Sequence, residues 1–164
     1  MNIIPQIVDI VSIKDYTVVC CFNNGEYRIV DFKKIIENPQ SEYDKKLVDL
    51  DIFSSVYISD GNLAFKKLKI SFILNKKRKF SYYSIGGDTL YNESTNTRIE
   101  LPIGTKIKHL RLRNNLTQEE LAIRIKTSKS SLSTIERNKH YPDIKTLEKI
   151  ANCFGKKVNI EFTN

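Results

Sequence analysis

Alternating and clustered apolar positions in the first 91 residues predict short strands joined by turns. Residues 6–13 alternate, with Ile7, Asp9, Val11 and Ile13 on one side. Residues 16–22 are rich in β-branched and aromatic side chains, and 26–31 read as the return strand. Between them, Asn24-Gly25 fits a two-residue type I′ turn, in which both residues take positive φ. Residues 32–36 read as a short helical turn that Asn38-Pro39 ends. The scattered apolar residues Leu47, Leu50, Ile52 and Phe53 make 41–53 a loop with short helical turns. A strand at 55–59, a turn at Asp60-Gly61 and one or two strands in 62–74 follow. Lys76 to Lys79 reads as a charged hairpin tip, and 80–83 as its return. Gly86 to Tyr91 suggests a turn with one helical turn, and the polar residues 92–96 a linker.

From there the period changes. After a short strand candidate at 97–101, Pro102 and Gly104 open a first helix over about 103–114, which Asn114-Asn115 breaks. Thr117-Gln118-Glu119-Glu120 is a helix start: Thr117 can cap the first turn and Glu120 can reach back to the Thr117 amide. Leu121, Ala122 and Ile125 give this second helix an apolar face. Ser128 caps a third, from Lys129 to about Arg137. There Leu132 and Ile135 point one way, while Lys129, Ser130, Ser133, Thr134 and Arg137 fall on the other side. That outward face carries no carboxylate and no bulky apolar residue, which suits base edges and phosphates in a major groove. Pro142-Asp143 starts a fourth helix that Gly155 ends. Residues 156–162 alternate as a strand, with Val158, Ile160 and Phe162 on one side. Ile99 and Leu101 form a second stripe, and the two strands are expected to pair, within one chain or across a dimer.

Several separated pieces agree in order and spacing with a known family. Ile107 to Arg111, Thr117 to Ala122, Ser131 to Glu136, and Pro142 with Thr146-Leu147 and Ile150-Ala151 resemble the helix-turn-helix of the Cro and lambda-repressor type, the xenobiotic-response-element family. The resemblance covers the last third of the chain. It implies an all-α, lambda-repressor-like domain that binds double-stranded DNA and regulates transcription, with the third helix in the major groove. Lys129, Ser130, Ser133 and Thr134 would face bases. Gln118 would support the contact near the backbone, and Ser128 and Arg137 would flank it. Lys139 and Lys145, with the amides at the starts of the second and fourth helices, would hold phosphates. It also sets Arg111 against Glu136 as a partly buried ion pair, for which the Arg fork is suited. Members often carry a fifth helix for dimerisation where this chain has 156–162, so the usual dimer interface is not expected. A second, thinner resemblance covers about residues 5–94. Asn23, Gly25, Glu26, Asp31, Leu50, Phe53, Asp88 to Tyr91 and Ser94 are similar to a small uncharacterised bacterial α+β domain that occurs alone or fused to helix-turn-helix modules. Its members usually have Trp where this chain has Phe65. The expected fold class is therefore α+β. A domain with an antiparallel sheet occupies 1–94, and a helix-turn-helix domain with short flanking strands occupies 97–164.

Composition narrows the function. At 164 residues and 40% hydrophobic, the chain can bury cores in one or two small domains. No apolar run approaches a membrane span, and the N-terminus lacks the pattern of a signal peptide. Cys20, Cys21 and Cys153 show no zinc spacing, so a cytoplasmic protein with reduced thiols is expected. The net charge of +8 is unevenly placed. Residues 1–96 carry 13 Lys and Arg against 12 Asp and Glu, a net +1, whereas 97–164 carry 14 against seven, a net +7. That excess favours phosphate attraction by the second domain. His109 and His140 lack metal-ligand company or a paired nucleophile and read as solvated or phosphate-adjacent. Gly86-Gly87 lacks the phosphate-loop pattern, and Lys76 to Lys79 reads as a solvated tip. No enzyme activity, cofactor or metal is expected. The expected partners are double-stranded DNA and a second copy in a homodimer. The rival reading is an antitoxin or other interaction protein, whose first domain grips a protein partner while its helix-turn-helix autoregulates.

Overall fold

The computed structural model describes residues 4–161. The chain divides into two compact units, Met1–Ile99 and Glu100–Asn164. The first holds two antiparallel sheets. One has the strand order β1-β2-β3-β7, from β1 (Ile7–Lys14), β2 (Thr17–Phe22), β3 (Tyr27–Asp31) and β7 (Thr95–Thr97). The other has the order β4-β5-β6, from β4 (Val56–Ser59), β5 (Asn62–Leu74) and β6 (Lys77–Ile85). Four short helices join them: α1 (Lys33–Glu37), α2 (Glu42–Lys46), α3 (Leu50–Phe53) and α4 (Gly87–Glu93). The class is α+β, as the sequence predicts.

Aromatic side chains fill this unit's core. Phe22, Phe32, Phe53 and Phe65 are fully buried, and Phe32 packs edge-on against Phe53 at 5.1 Å and Phe65 at 5.9 Å between ring centroids. Such edge-to-face pairs add to the burial term. The buried carboxylate of Asp44 is spent locally: it accepts from the amides of Gln40 and Ser41 and from the Tyr83 hydroxyl.

Several local expectations are corrected. The alternation of β1 is interrupted by register shifts between Ile7 and Asp9 and between Ile10 and Ser12, so Ile10 joins Ile7 on the core face opposite Cys20 and Phe22, and Ile13 returns to that face opposite Val18 but is 41% exposed. A bulge reverses which face each later residue takes. The β2–β3 loop is not type I′, because Gly25 takes positive φ and Asn24 does not. It is a three-residue loop, closed by Gly25 N–H to the Phe22 carbonyl and Phe22 N–H to the Glu26 carbonyl, both 2.9 Å. Asn24 instead accepts the Glu26 amide with its own side chain at 3.0 Å, an Asx-type bond. The β5–β6 turn is Asn75-Lys76, both at positive φ, so Lys77 to Lys79 belong to β6. The segment 92–96 is not a linker. It finishes α4 and starts β7, which pairs with β3 through Ile29–Thr95, Arg28–Asn96 and Tyr27–Thr97. Arg28 secures the crossover, donating to the hydroxyl and carbonyl of Ser94 at 2.8 and 2.7 Å.

The second unit consists of α5 (Ile103–Arg113), α6 (Gln118–Arg124), α7 (Lys129–Glu136) and α8 (Ile144–Cys153). Their inward stripes, Ile107, Leu121, Ala122, Ile125, Leu132, Ile135 and Ile150, form one buried core. The flanking strands are absent among the described residues. Residues 98–102 and 156–161 take no strand, and Phe162 lies outside the described residues. The preceding segment, 95–97, already has β3 as its ladder partner, and 156–161 have none. Alternation without a neighbouring strand does not make a sheet. Val158 is half-buried and Ile160 is 53% exposed. Both line a groove of about 410 Å³ with Ile103, Leu110, Leu147 and Ala151.

Candidate nucleic-acid interface

Short-range bonds fix the N-termini of α6, α7 and α8 and the C-termini of all four helices, whereas Pro102 opens α5 without a side-chain cap. At α6, the Thr117 hydroxyl accepts the Glu120 amide at 3.2 Å and the Glu120 carboxylate accepts the Thr117 amide at 2.7 Å. This reciprocal box holds the Glu120 carboxyl below its usual range, chiefly through the Thr117 amide and then its hydroxyl. Ser128 caps α7 through the Ser131 amide at 3.1 Å, and Asp143 caps α8 through the Thr146 amide at 2.7 Å. Bonds to Thr146, side-chain and backbone, lower the Asp143 carboxyl.

The C-termini share one device. Asn115, Lys126, Asn138 and Gly155 all take positive φ directly after a helix. The next amide in each case returns to the carbonyl five residues back: Leu116 to Arg111, Thr127 to Ala122, Lys139 to Thr134 and Lys156 to Ala151, at 2.9–3.2 Å. These are Schellman caps, and the first three lie in the turns between successive helices. The α6–α7 turn has a lysine at the position where glycine is easiest to accommodate.

Arg111 and Glu136 lock α5 to α7. Arg111 Nε and Nη2 donate to Glu136 Oε1 and Oε2 at 2.6 and 2.8 Å, and the two side chains are only 8% and 2% exposed. Arg111 Nη1 also donates to the Leu116 carbonyl at 2.8 Å. Gln118 Nε2 donates to Glu136 Oε2 at 2.8 Å. Gln118 is thus turned towards the ion pair and half-buried. Close approach of the same two helices requires Gly104, where a Cβ would lie 1.9 Å from the Ile135 carbonyl oxygen. Asn138 completes the joint, accepting from Gly104 N–H and donating to Thr105 Oγ1, both at 2.9 Å.

On the outer side of α7, Lys129, Ser130, Thr134 and Arg137 are exposed, as are Ser128 before it and Lys139 and Lys145 beyond it. Lys129 lies 3.8 Å from Glu119, a loose surface pair. Thr134 donates its hydroxyl to the Ser130 carbonyl at 2.8 Å. Ser133 departs from expectation, being buried at 9% exposure, with its hydroxyl accepting from Arg137 Nε and Nη2 at 3.2 and 2.6 Å. The arginine four residues on lies over it, which apolar patterning does not reveal. Two further exposed residues are not among the expected contacts: Ser131 on α7, bonded to Ser128 Oγ at 2.9 Å, and Tyr141 in the loop before α8, 76% exposed. The polar run Lys139-His140-Tyr141 between helices is the sequence signal for the second. His109 is corrected outright: it is 1% exposed in α5, not solvated, while His140 is exposed. Among the described residues no group of three His, Cys, Asp or Glu could hold a metal ion, and no helix is long and apolar enough to cross a membrane.

Comparison with known proteins agrees with this arrangement. The family model described as Helix-turn-helix matches residues 107–160. An uncharacterised HTH-type transcriptional regulator of Methanocaldococcus jannaschii is 42% identical over 53 residues, 32% of this chain and 80% of the relative. Another from Archaeoglobus fulgidus is 39% identical over 54 residues, covering 33% and 76%. The immunity repressor protein of Bacillus phage phi105 is 37% identical over 59 residues, 36% of this chain and 41% of the repressor. With four capped helices in this order, the α5–α7 lock and relatives matched over most of their length, the chain belongs to the helix-turn-helix family, of the lambda-repressor-like kind.

Proposed function

We propose that the protein is a sequence-specific double-stranded DNA-binding transcriptional regulator whose helix α7 enters the major groove. The observation that carries this reading is the outer side of α7. It is a row of short hydroxyls and cations with no carboxylate, held by an ion pair and paired caps. Lys129, Ser130 and Thr134 reach base edges. Ser133 comes into reach when Arg137 leaves it for a phosphate. Gln118 positions the start of α6 through Glu136, and Lys139 and Lys145 take phosphates. The protein acts as a homodimer, with two copies of α7 meeting half-sites about 34 Å apart. The exposed Ile160 and the groove beside it supply an apolar surface for the second copy.

Selecting bound sites from random duplexes, then titrating variants, tests this. Lys129→Ala and Thr134→Ala each weaken the selected site by about 1–3 kcal/mol if each makes a good base contact. Lys139→Ala and Lys145→Ala weaken all sequences and flatten the salt dependence. If the Lys129/Thr134 double variant binds the selected sites as tightly as wild type, α7 is not the reading helix.

A further inference from the structure

The β5–β6 hairpin extends well past the sheet that anchors it. Strand β4 pairs with β5 only as far as Phe65, while β5 and β6 continue together from Lys69–Tyr82 to Leu74–Lys77. Every residue from Ser71 to Tyr82 is exposed. Among them are Ile73 at 78%, Phe80 at 70% and Leu74 at 53% exposure. The register places Ile73, Arg78 and Phe80 on one face and Phe72, Leu74 and Lys79 on the other. Each face therefore mixes large apolar side chains with cations.

Charge is segregated onto this ribbon. Residues 62–85 carry seven Lys and Arg and no Asp or Glu, leaving six cations against 12 carboxylates in the rest of residues 1–96. Two of the seven are engaged at its base: Lys67 bonds Asp51, and Lys66 lies over the Tyr57 ring. The other five, Lys69, Lys76, Lys77, Arg78 and Lys79, lie along the projecting part. A basic, apolar two-stranded ribbon this long is marginal by itself, and apolar groups this exposed mark an interaction surface.

We infer that the β5–β6 hairpin is a second double-stranded DNA contact, sequence-tolerant and separate from α7. A major groove admits a two-stranded ribbon, and groove walls lined by phosphates meet cations on both faces at once. Apolar side chains can lie against the groove floor, where thymine methyls are exposed. A flat anionic surface would use only one face of the ribbon, and a second copy would set seven positive charges against seven. The inference does not depend on α7 being the reading helix.

The test uses the full chain and a fluorescent 30-base-pair duplex of arbitrary sequence, titrated across salt concentrations of about 50–200 mM. The hairpin variant is Lys76→Gln, Lys77→Gln, Arg78→Gln and Lys79→Gln together. All four positions are exposed, and circular dichroism checks the fold. Binding should weaken, with the log–log salt slope falling by about 0.9 for each phosphate that the ribbon no longer neutralises, up to about 3.6 for four. Unchanged affinity and slope would overturn the inference. If the hairpin variant keeps duplex binding while Lys129→Ala with Thr134→Ala loses the selected site, the ribbon contact fails and the α7 reading stands. The reverse pattern supports the ribbon and removes α7. Loss of binding to phosphatidylserine vesicles with duplex binding intact overturns the inference in favour of a membrane surface. No binding of the arbitrary duplex by the wild type overturns the ribbon contact, and no binding of any selected site overturns the α7 reading.

Discussion

Replacing Arg111 with alanine should unfold the second unit's helical joint and leave the first unit intact. The substitution removes two charge-assisted bonds to Glu136, at 2.6 and 2.8 Å, and the bond to the Leu116 carbonyl at 2.8 Å. The Glu136 carboxylate, 2% exposed, is then left with the neutral amide of Gln118 at 2.8 Å in place of a cation. Stranding a buried charge in this way costs about 3–5 kcal/mol. Neither side chain reaches a tenth exposed, so solvent screening does not reduce that figure to the surface value of about 0–1 kcal/mol. A unit of about 65 residues has roughly 3–10 kcal/mol of stability in total, so the loss is a third of it or more. Native-state hydrogen exchange on the full chain reads the two units separately, which a single denaturation midpoint does not. Slow amides in α5 and α7 should lose about two to three and a half orders of magnitude of protection, at 1.4 kcal/mol per tenfold. Those in β2 and β5 should not change. Arg111→Lys keeps the charge but not the fork, and should fall between. Replacing both partners, as Arg111→Met with Glu136→Leu, should recover stability relative to either single change. If α5 and α7 protection in Arg111→Ala stays within about fivefold of wild type, a loss under 1 kcal/mol, the ion pair does not hold the joint.

Four further outcomes are expected. Lys126→Gly should stabilise the second unit by about 1 kcal/mol, because it relieves a side chain from the left-handed region. Asn138→Gly should instead destabilise it by about 1 kcal/mol, because the bonds to Gly104 and Thr105 disappear; chemical denaturation of both variants checks the contrast. For pH, the carboxyls of Glu120 and Asp143 are lowered in the folded chain, so the unfolded chain takes up their protons first. Their contribution is present above the unfolded values of about 4.3 and 3.9 and is lost as pH falls through the lower folded ones; carboxyl NMR titration should place both inflections below those values. Burial, with smaller effects from Cys21 and Asp9, pushes the Cys20 thiol up to about 12, so a thiol reagent at pH 8 should modify half-buried Cys153 first and Cys20 only after unfolding.

The helical unit was largely legible because its determinants are close in sequence. Thr117 and Glu120 are three residues apart, Ser128 and Ser131 three, and Asp143 and Thr146 three. The apolar stripe that each helix buries recurs within its own length. No knowledge of distant partners is needed to find these. The side of α7 that faces out was legible for the same reason. Ser133 is not read in this way: helical position puts it with the outward residues, yet it is buried and bonded to Arg137, which apolar patterning does not reveal. His109 failed similarly, since a histidine's burial depends on what packs over it.

Strands are another matter, because a strand is defined by a neighbour that the local sequence does not name. The polar run 95–97 became β7 because β3 offered it an edge and Arg28 clamped Ser94, 66 residues away. The strongly alternating run 156–161 stayed irregular because no edge was offered. Alternation therefore records which side chains could share a face, while pairing is settled by the register and edges of the whole sheet. The β5–β6 ribbon combines both cases. Its strands satisfy each other along their inner edges, so the hairpin forms. Its side chains beyond Ser71 find no second layer, so its apolar residues remain outside. Folding alone does not account for large apolar side chains and five cations on a projecting ribbon with no carboxylate, whereas a bound duplex would use both.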